Sequence, residues 1–197
     1  MSRKLRIEVN LFRVLLAAAL LAAASRPPAV AQANDDRFGP PGGGAGGVLS
    51  LSAAEAKEVA FLREEEKMAR DLYRRLYAKW KLRVFDRISE SEQRHFEAIG
   101  RLLTRFQLED PAAGLPEGVF KDAALQTLYN ELLAKGERSV KDALEAGVMV
   151  ETADIGDLER ALKSVVNPEV KRALTSLLQG SMNHLDTFES LIEVLNQ

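Results

Sequence analysis

The feature of this sequence that most limits its fold is a helical periodicity that begins near residue 50 and continues to the C-terminus. Apolar residues recur at spacings of three and four with charged residues between them, and no segment has the alternation of a half-buried β-strand. Ser52 and Glu55 form a capping-box pattern at the first periodic stretch, and Asn167 followed by Pro168 marks the start of the last. The pattern predicts an all-α domain over residues 50–197.

The periodic stretches predict four long helices and one short one. They are Ser52 to about Trp80, a stretch covering 85–106, the short helix 121–135, Ser139 to about Val166, and Asn167 to the C-terminus. Residues 110–118 are rich in Pro and Gly, and this segment is long enough for a crossover rather than a tight turn. Such content is typical of a four-helix bundle with one extra short helix in its central crossover.

The N-terminal 49 residues have a different composition from the rest of the chain. Basic residues precede an apolar run at 11–24, and Ala29-Val30-Ala31 places small residues where a signal peptidase reads them. We therefore expect residues 1–31 to be a signal peptide, and the Gly/Pro-rich residues 32–49 to be a flexible leader. An uncleaved membrane anchor is the alternative, although the apolar run is short and is interrupted by Arg13. The expected protein is periplasmic or secreted, with no stable membrane span after cleavage.

Charge and cysteine content exclude several classes of function. The formal net charge is -2, and residues 1–31 hold five basic residues against one acidic residue, so the remainder is near -6. Binding to nucleic-acid phosphates needs a basic face, so we expect no nucleic-acid partner. The chain has no Cys, which excludes disulfides and thiolate metal sites and leaves only oxygen and nitrogen ligands. A homodimer is the default expectation for any assembly.

Only two histidines are present, His95 and His184, and each lies in a predicted helix on the face used for packing. Glu92 precedes His95 by three residues, so carboxylate and imidazole lie on one helix face about one turn apart. Glu66 shares the inward stripe of the first helix, and Glu151 lies on the apolar face of the third long helix. Such a set suits a dinuclear carboxylate site, which takes Glu from two helices and Glu-x-x-His from two others.

Several alternatives remain open for these residues. Glu65 is the second choice for the first helix, although Glu64 and Glu65 are both expected to turn toward solvent. The same buried histidines and carboxylates could also form a polar core network without metal, because buried charges need partners of some kind. Arg70 and Asp71 would either support ligand carboxylates or form a surface ion pair.

Three motifs carry a resemblance to a known family. Residues 63–73, 91–95 and 180–185 resemble a family of exported prokaryotic ferritin-like domains of unknown function, and Glu66-x-x-Ala69-Arg70 followed by Glu92-x-x-His95 is similar to the first half of a rubrerythrin-type di-iron bundle. The resemblance covers about residues 50–195 and implies a ferritin-like four-helix bundle. It implies these metal ligands: Glu66, Glu92, His95, Glu151 and His184.

Ser181 departs from the family pattern, because it stands where the second Glu-x-x-His motif would have its Glu. The second metal position would then be weak, empty, or completed by Asp154, Asp186 or water. This departure leaves a mononuclear site as an alternative to a dinuclear one.

The expected function is metal binding, by an oxidoreductase or a metal-handling protein. Iron is the preferred ion, with manganese or zinc as alternatives, because carboxylate and imidazole ligands suit all three. The alternative function is a metal-free helical bundle that acts as a binding or structural module of the cell envelope. No catalytic residue is assigned from the sequence.

Overall fold

The computed structural model describes residues 50–197, so the predicted signal peptide and leader lie outside the described residues. Within this range the chain forms five α-helices and no strand, as the periodicity predicts. They are α1 (Ala53–Trp80), α2 (Arg83–Arg105), α3 (Ala123–Gly136), α4 (Val140–Ser164) and α5 (Pro168–Leu195). None of the described helices is both long enough and apolar enough to cross a membrane.

Capping residues mark the starts of most of these helices, as at the start of α1. The Ser52 side chain accepts a hydrogen bond from the Glu55 amide, and the Glu55 carboxylate accepts one from the Ser52 amide, which completes the predicted capping box. The second oxygen of Glu55 accepts from the amides of Val166 (2.8 Å) and Asn167 (3.0 Å). The capping box therefore also fastens the start of α1 to the junction between α4 and α5.

Packing of the long helices places a polar layer between two apolar clusters. Helix α1 packs along α2 and α4 packs along α5, while α3 packs on α1 and α4. One apolar cluster contains Leu72, Phe85 and Phe188, and the other contains Leu62 and Ile99. On each long helix the candidate ligands lie between the segments that form these two clusters. The apolar residues on both sides thus fix where the polar side chains meet.

The crossover between α2 and α3 is fastened to α1 by a buried ion pair. Lys67 Nζ donates to Asp71 Oδ2 at 2.6 Å and to the Pro116 carbonyl at 2.7 Å, and the Gly118 amide donates to Asp71 Oδ2 at 3.0 Å. Arg70 donates to the other oxygen of Asp71. Arg70 and Asp71 therefore neither form a surface ion pair nor contact the candidate ligand carboxylates, contrary to both expectations from the sequence.

The expectation that Glu64 turns toward solvent is wrong. Its carboxylate is buried and accepts hydrogen bonds from the amides of Lys121 and Asp122, which hold the start of α3. The reason lies in the packing around α1, because α2, α3, α4 and the crossover surround this helix. Every residue from 64 to 73 is buried, so no face of this segment is free for a solvated charge.

Candidate metal centre

All five predicted ligands meet in the polar layer at the middle of the bundle. Helix α1 contributes Glu66, α2 contributes Glu92 and His95, α4 contributes Glu151, and α5 contributes His184. The three carboxylates are each at most 2% exposed, and the histidine side chains are 11–12% exposed. This convergence is the arrangement that the helix patterns and the resemblance indicated.

The first half of the layer is formed by Glu66, Glu92 and His95. His95 Nδ1 lies 2.8 Å from Glu92 Oε2 and 3.4 Å from Glu66 Oε2. One donor atom from each of the three residues falls within 4.8 Å of the others. Because Glu92 and His95 are three residues apart on one helix face, two of these donors keep a fixed relative position.

The second half is formed by Glu92, Glu151 and His184. His184 Nδ1 lies 2.7 Å from Glu92 Oε1 and 3.5 Å from Glu151 Oε2, and these donor atoms also fall within 4.8 Å of one another. Glu92 therefore offers one oxygen to each half. The imidazole rings of His95 and His184 are stacked, with centroids 5.7 Å apart. The two triads are thus adjacent and share a carboxylate.

Several oxygen and nitrogen atoms in this layer that could coordinate a metal have no hydrogen-bond partner among residues 50–197. They are both oxygens of Glu66, Glu92 Oε1 and His184 Nδ1. The 2.7 Å contact between His184 Nδ1 and Glu92 Oε1 lacks hydrogen-bond alignment, so proximity does not satisfy either atom. Buried polar atoms are rarely left in this state. A cation could coordinate these atoms, because their lone pairs converge and no hydrogen-bond donor satisfies them.

The shared Glu92 is held in its charged form by the histidines. Burial raises the pKa of Glu92, but the contacts with His184 and His95 outweigh this effect and bring the pKa to about 2. Burial lowers the pKa of His184, whereas Glu151 and Glu92 raise it to about 10. Without a metal, His184 therefore carries a proton that neutralises part of the carboxylate charge.

Burial shifts the pKa values of the other two carboxylates upward, toward their neutral forms, in the absence of metal. Burial, followed by the charges of Asp154 and Glu92, raises the pKa of Glu66 well above its usual value. Burial and the charge of Glu92 also raise the pKa of Glu151 to about 7, against the opposing effect of His184. The layer holds more carboxylates than its histidines can neutralise, so it binds protons when no other cation is present.

The position of Glu151 is fixed by Tyr73. The Tyr73 hydroxyl donates to Glu151 Oε1 at 2.5 Å, and the ring packs against Phe85 and Phe188 with centroids 6.2 Å and 5.4 Å away. The phenol is thereby held on one side by the aromatic core. A carboxylate fixed in this way is already oriented to act as a metal ligand.

Comparisons with known proteins identify the domain. The model of the family described as an uncharacterized protein domain, DUF2202, matches residues 55–197. The chain belongs to the DUF2202 family. It is 39% identical to the uncharacterized protein MJ0754 of Methanocaldococcus jannaschii over 142 residues, which are 72% of this chain and 77% of the relative.

The crystal structure of the hypothetical protein MJ0754 from Methanococcus jannaschii is similar to this DUF2202 chain. The TM-score is 0.75 at 36% sequence identity, and the match covers 78% of this chain and 88% of that one. The expected membership of a family of unknown function is thus confirmed. The names of the family and of this relative state no bound metal and no activity.

The DUF2202 domain also buries carboxylates that sequence reasoning missed. Glu65, expected to turn toward solvent, is 2% exposed and lies beside Asp154 and Asp157 of α4. Burial raises the pKa of Glu65 well above its usual value, and the charges of these two aspartates raise it further. Asp157 in turn accepts a hydrogen bond from Arg160 at 2.5 Å. The helical period alone does not reveal the burial of Glu65 and Asp157, whereas Asp154 is among the sequence-based alternatives for the second metal position. The available signal was a spacing of three along α4 that joins Glu151, Asp154 and Asp157 on one face.

Proposed function

We propose that this DUF2202 domain is a ferritin-like metal-binding protein that holds a pair of divalent ions, with iron as the preferred ion. The observation that carries the proposal is the pair of triads that share Glu92, together with their buried donor atoms that have no hydrogen-bond partner among the described residues. Glu66 and His95 would complete one position, and Glu151 and His184 the other.

The chemistry of the donor set fits such ions. Carboxylate oxygens combined with imidazole nitrogen suit iron, manganese and zinc. Bound iron or manganese would supply one-electron redox chemistry, and bound zinc would supply Lewis acidity. The protein itself contributes a buried site, in which the bundle limits contact with bulk water and Tyr73 orients Glu151.

Charge balance supports a pair of ions. The buried carboxylates Glu66, Glu92, Glu151 and Asp154 carry four negative charges when ionised, and with neutral histidines two divalent ions would balance them. Buried charges without partners are costly, so protons or metal ions must fill this role. A metal-free network held by protons is the competing interpretation, and it corresponds to a purely structural module.

The test is to count metal ions on the purified protein, prepared without a metal-binding tag, by mass spectrometry. We expect about two iron, manganese or zinc ions per chain, and their loss from a Glu92→Ala/His95→Ala double variant. Glu109→Ala is the matched control, because Glu109 is an exposed glutamate of the crossover.

Thermal melting completes the experiment. Metal that binds only the folded state stabilises it, by about 2.7 kcal/mol when free metal is at 100 times the dissociation constant, so chelation should lower the melting temperature of the wild type and not of the double variant. Absence of metal from both proteins, with chelator-insensitive melting, would contradict metal binding and favour the metal-free module.

The sequence also suggests where this metal-binding domain acts. We propose that residues 1–31 direct export, so that the site functions in the periplasm or outside the cell. N-terminal sequencing of the protein isolated from its host should begin at Gln32. A chain that retains residues 1–31 would contradict cleavage.

A further inference from the structure

The second half of the metal centre lacks one carboxylate that the first half has. Glu92 precedes His95 by three residues, whereas the residue three before His184 is Ser181. A serine hydroxyl is short and is neutral at ordinary pH, so it cannot supply the charge or the reach of a glutamate. If the centre holds a pair of ions, another group must provide the missing ligand.

Ser181 is used to hold a different carboxylate. It is fully buried, and its hydroxyl donates to Asp154 Oδ2 at 2.5 Å, across the interface between α5 and α4. Such a short distance indicates a strong hydrogen bond, which fixes the orientation of the Asp154 side chain. Asp154 follows Glu151 by three residues, so both carboxylates lie on the same face of α4.

One oxygen of Asp154 is buried beside the candidate ligands without a hydrogen-bond partner among the described residues. Asp154 Oδ1 has no hydrogen-bond partner within residues 50–197, although the residue is only 5% exposed. Its charge is among the causes that raise the pKa of Glu66 and of His95, while burial and then Glu151 raise that of Asp154 itself. The carboxylate thus lies near ligands of both halves.

We infer that Asp154, oriented by Ser181, would supply the metal ligand that the second Glu-x-x-His motif lacks. This inference rests on the proposed metal-binding function. It assigns to α4 a ligand that the family pattern would take from α5. Ser181 is a positioning residue in this arrangement, and Asp154 is the ligand.

The other carboxylates near the centre are placed less well for this role. Asp186 is exposed and lies two residues after His184, on nearly the opposite side of α5. Glu65 and Asp157 approach each other, and Asp157 is bonded to Arg160. Asp154 alone among these combines a fixed orientation with a buried oxygen that has no hydrogen-bond partner in the described part of the chain.

The test is the substitution Asp154→Asn in the full protein, loaded with Mn(II). The amide has nearly the size of the carboxylate and can still accept from Ser181, but it has lost the charge and most of the ligand strength. We expect one of the two ions to be lost or to bind at least tenfold more weakly. The electron paramagnetic resonance spectrum should change from that of a spin-coupled pair to that of an isolated ion.

Two further variants keep the test specific. Asp157→Asn removes a buried carboxylate three residues further along α4 and should retain both ions and the coupled spectrum. Asp154→Ala combined with Ser181→Glu moves the carboxylate from α4 to the position that the family pattern uses, and it should restore the second ion. Circular dichroism melting before loading shows that each variant is folded.

The outcomes separate this inference from the proposed function. A folded Asp154→Asn protein that binds two Mn(II) ions with wild-type affinity and a coupled spectrum would overturn the role of Asp154 and leave the metal centre intact. Failure of the double variant to regain the second ion would also count against the exchange of ligand positions. Wild-type protein that binds one ion or none would overturn the dinuclear proposal and this inference with it.

Discussion

Gly180 offers a way to disturb the proposed metal centre without weakening the fold. A Cβ atom at this position would lie 2.6 Å from Cε1 and Nε2 of His95, whereas ordinary contacts begin near 3.4 Å, so the ring would have to retreat by about 0.8 Å. Metal–ligand distances tolerate only about 0.2 Å. Gly180→Ala should therefore move His95 out of its ligand position.

The cost to stability should be small because two effects oppose each other. Alanine is favoured over glycine in a helix interior by about 1 kcal/mol. The group that must move is the far end of a side chain that is 12% exposed, so the ring can turn toward solvent. We expect the metal-free variant to melt within a few degrees of the wild type. Metal affinity should fall at least tenfold, which corresponds to about 1.4 kcal/mol.

Isothermal titration calorimetry with Mn(II), combined with thermal melting of the metal-free proteins, measures both quantities. Gly100→Ala is the matched control, because its Cβ would meet the guanidinium of Arg63 at 2.8 Å, away from the ligands. It should leave metal affinity unchanged. Wild-type affinity in Gly180→Ala would refute the assignment of His95 as a ligand. A large loss of stability with no loss of affinity would refute the packing argument.

Two other predictions concern single hydrogen-bonded groups. Tyr73→Phe keeps the ring packing but removes the donor to Glu151, so calorimetry should find roughly 10-fold weaker metal binding, and wild-type affinity would refute the orienting role. The hydrogen bond from the Ser52 amide is the largest cause that lowers the pKa of Glu55, from 4.5 to about 2. Burial opposes this shift, and the amides of Asn167 and Val166 add to it. The stability this carboxylate adds is present above about pH 4.5 and is lost as the pH falls through 2. Urea titrations of wild type and Glu55→Gln should therefore converge as the pH is lowered over that range, and a constant difference would contradict the ionic contribution.

The helix starts could be predicted from the sequence because capping is local chemistry. Ser52, Ser139 and Asn167 each cap the helix that the pattern indicated, and each side chain accepts hydrogen bonds from the first turn. The C-terminal ends of the helices are predicted less exactly. The fourth helix was expected to reach about Val166 but ends at Ser164, since a terminal turn depends on the contacts of the following loop.

The convergence of the five candidate ligands could be predicted because each lies at an inward register position and histidine is scarce. The depth of burial of α1 could not be predicted from the sequence. A single stripe of apolar residues leaves Glu64 and Glu65 on the outer side, yet α3 and the crossover cover that side as well. Their partners are the amides of Lys121 and Asp122 and the acidic face of α4, which are distant in sequence. No local pattern specifies such contacts.

The location of the polar layer gives the strongest general argument for a bound cation. Apolar clusters lie on both sides of it and could hold the helices together on their own. Replacement of buried charged groups by well-packed apolar residues is often neutral or stabilising. We therefore expect a layer that contains Glu66, Glu92, Glu151 and Asp154 to lower the stability of the bundle in the absence of metal. Divalent ions would turn this arrangement from a cost into a source of stability, since their binding energy is gained only when all four long helices are in place.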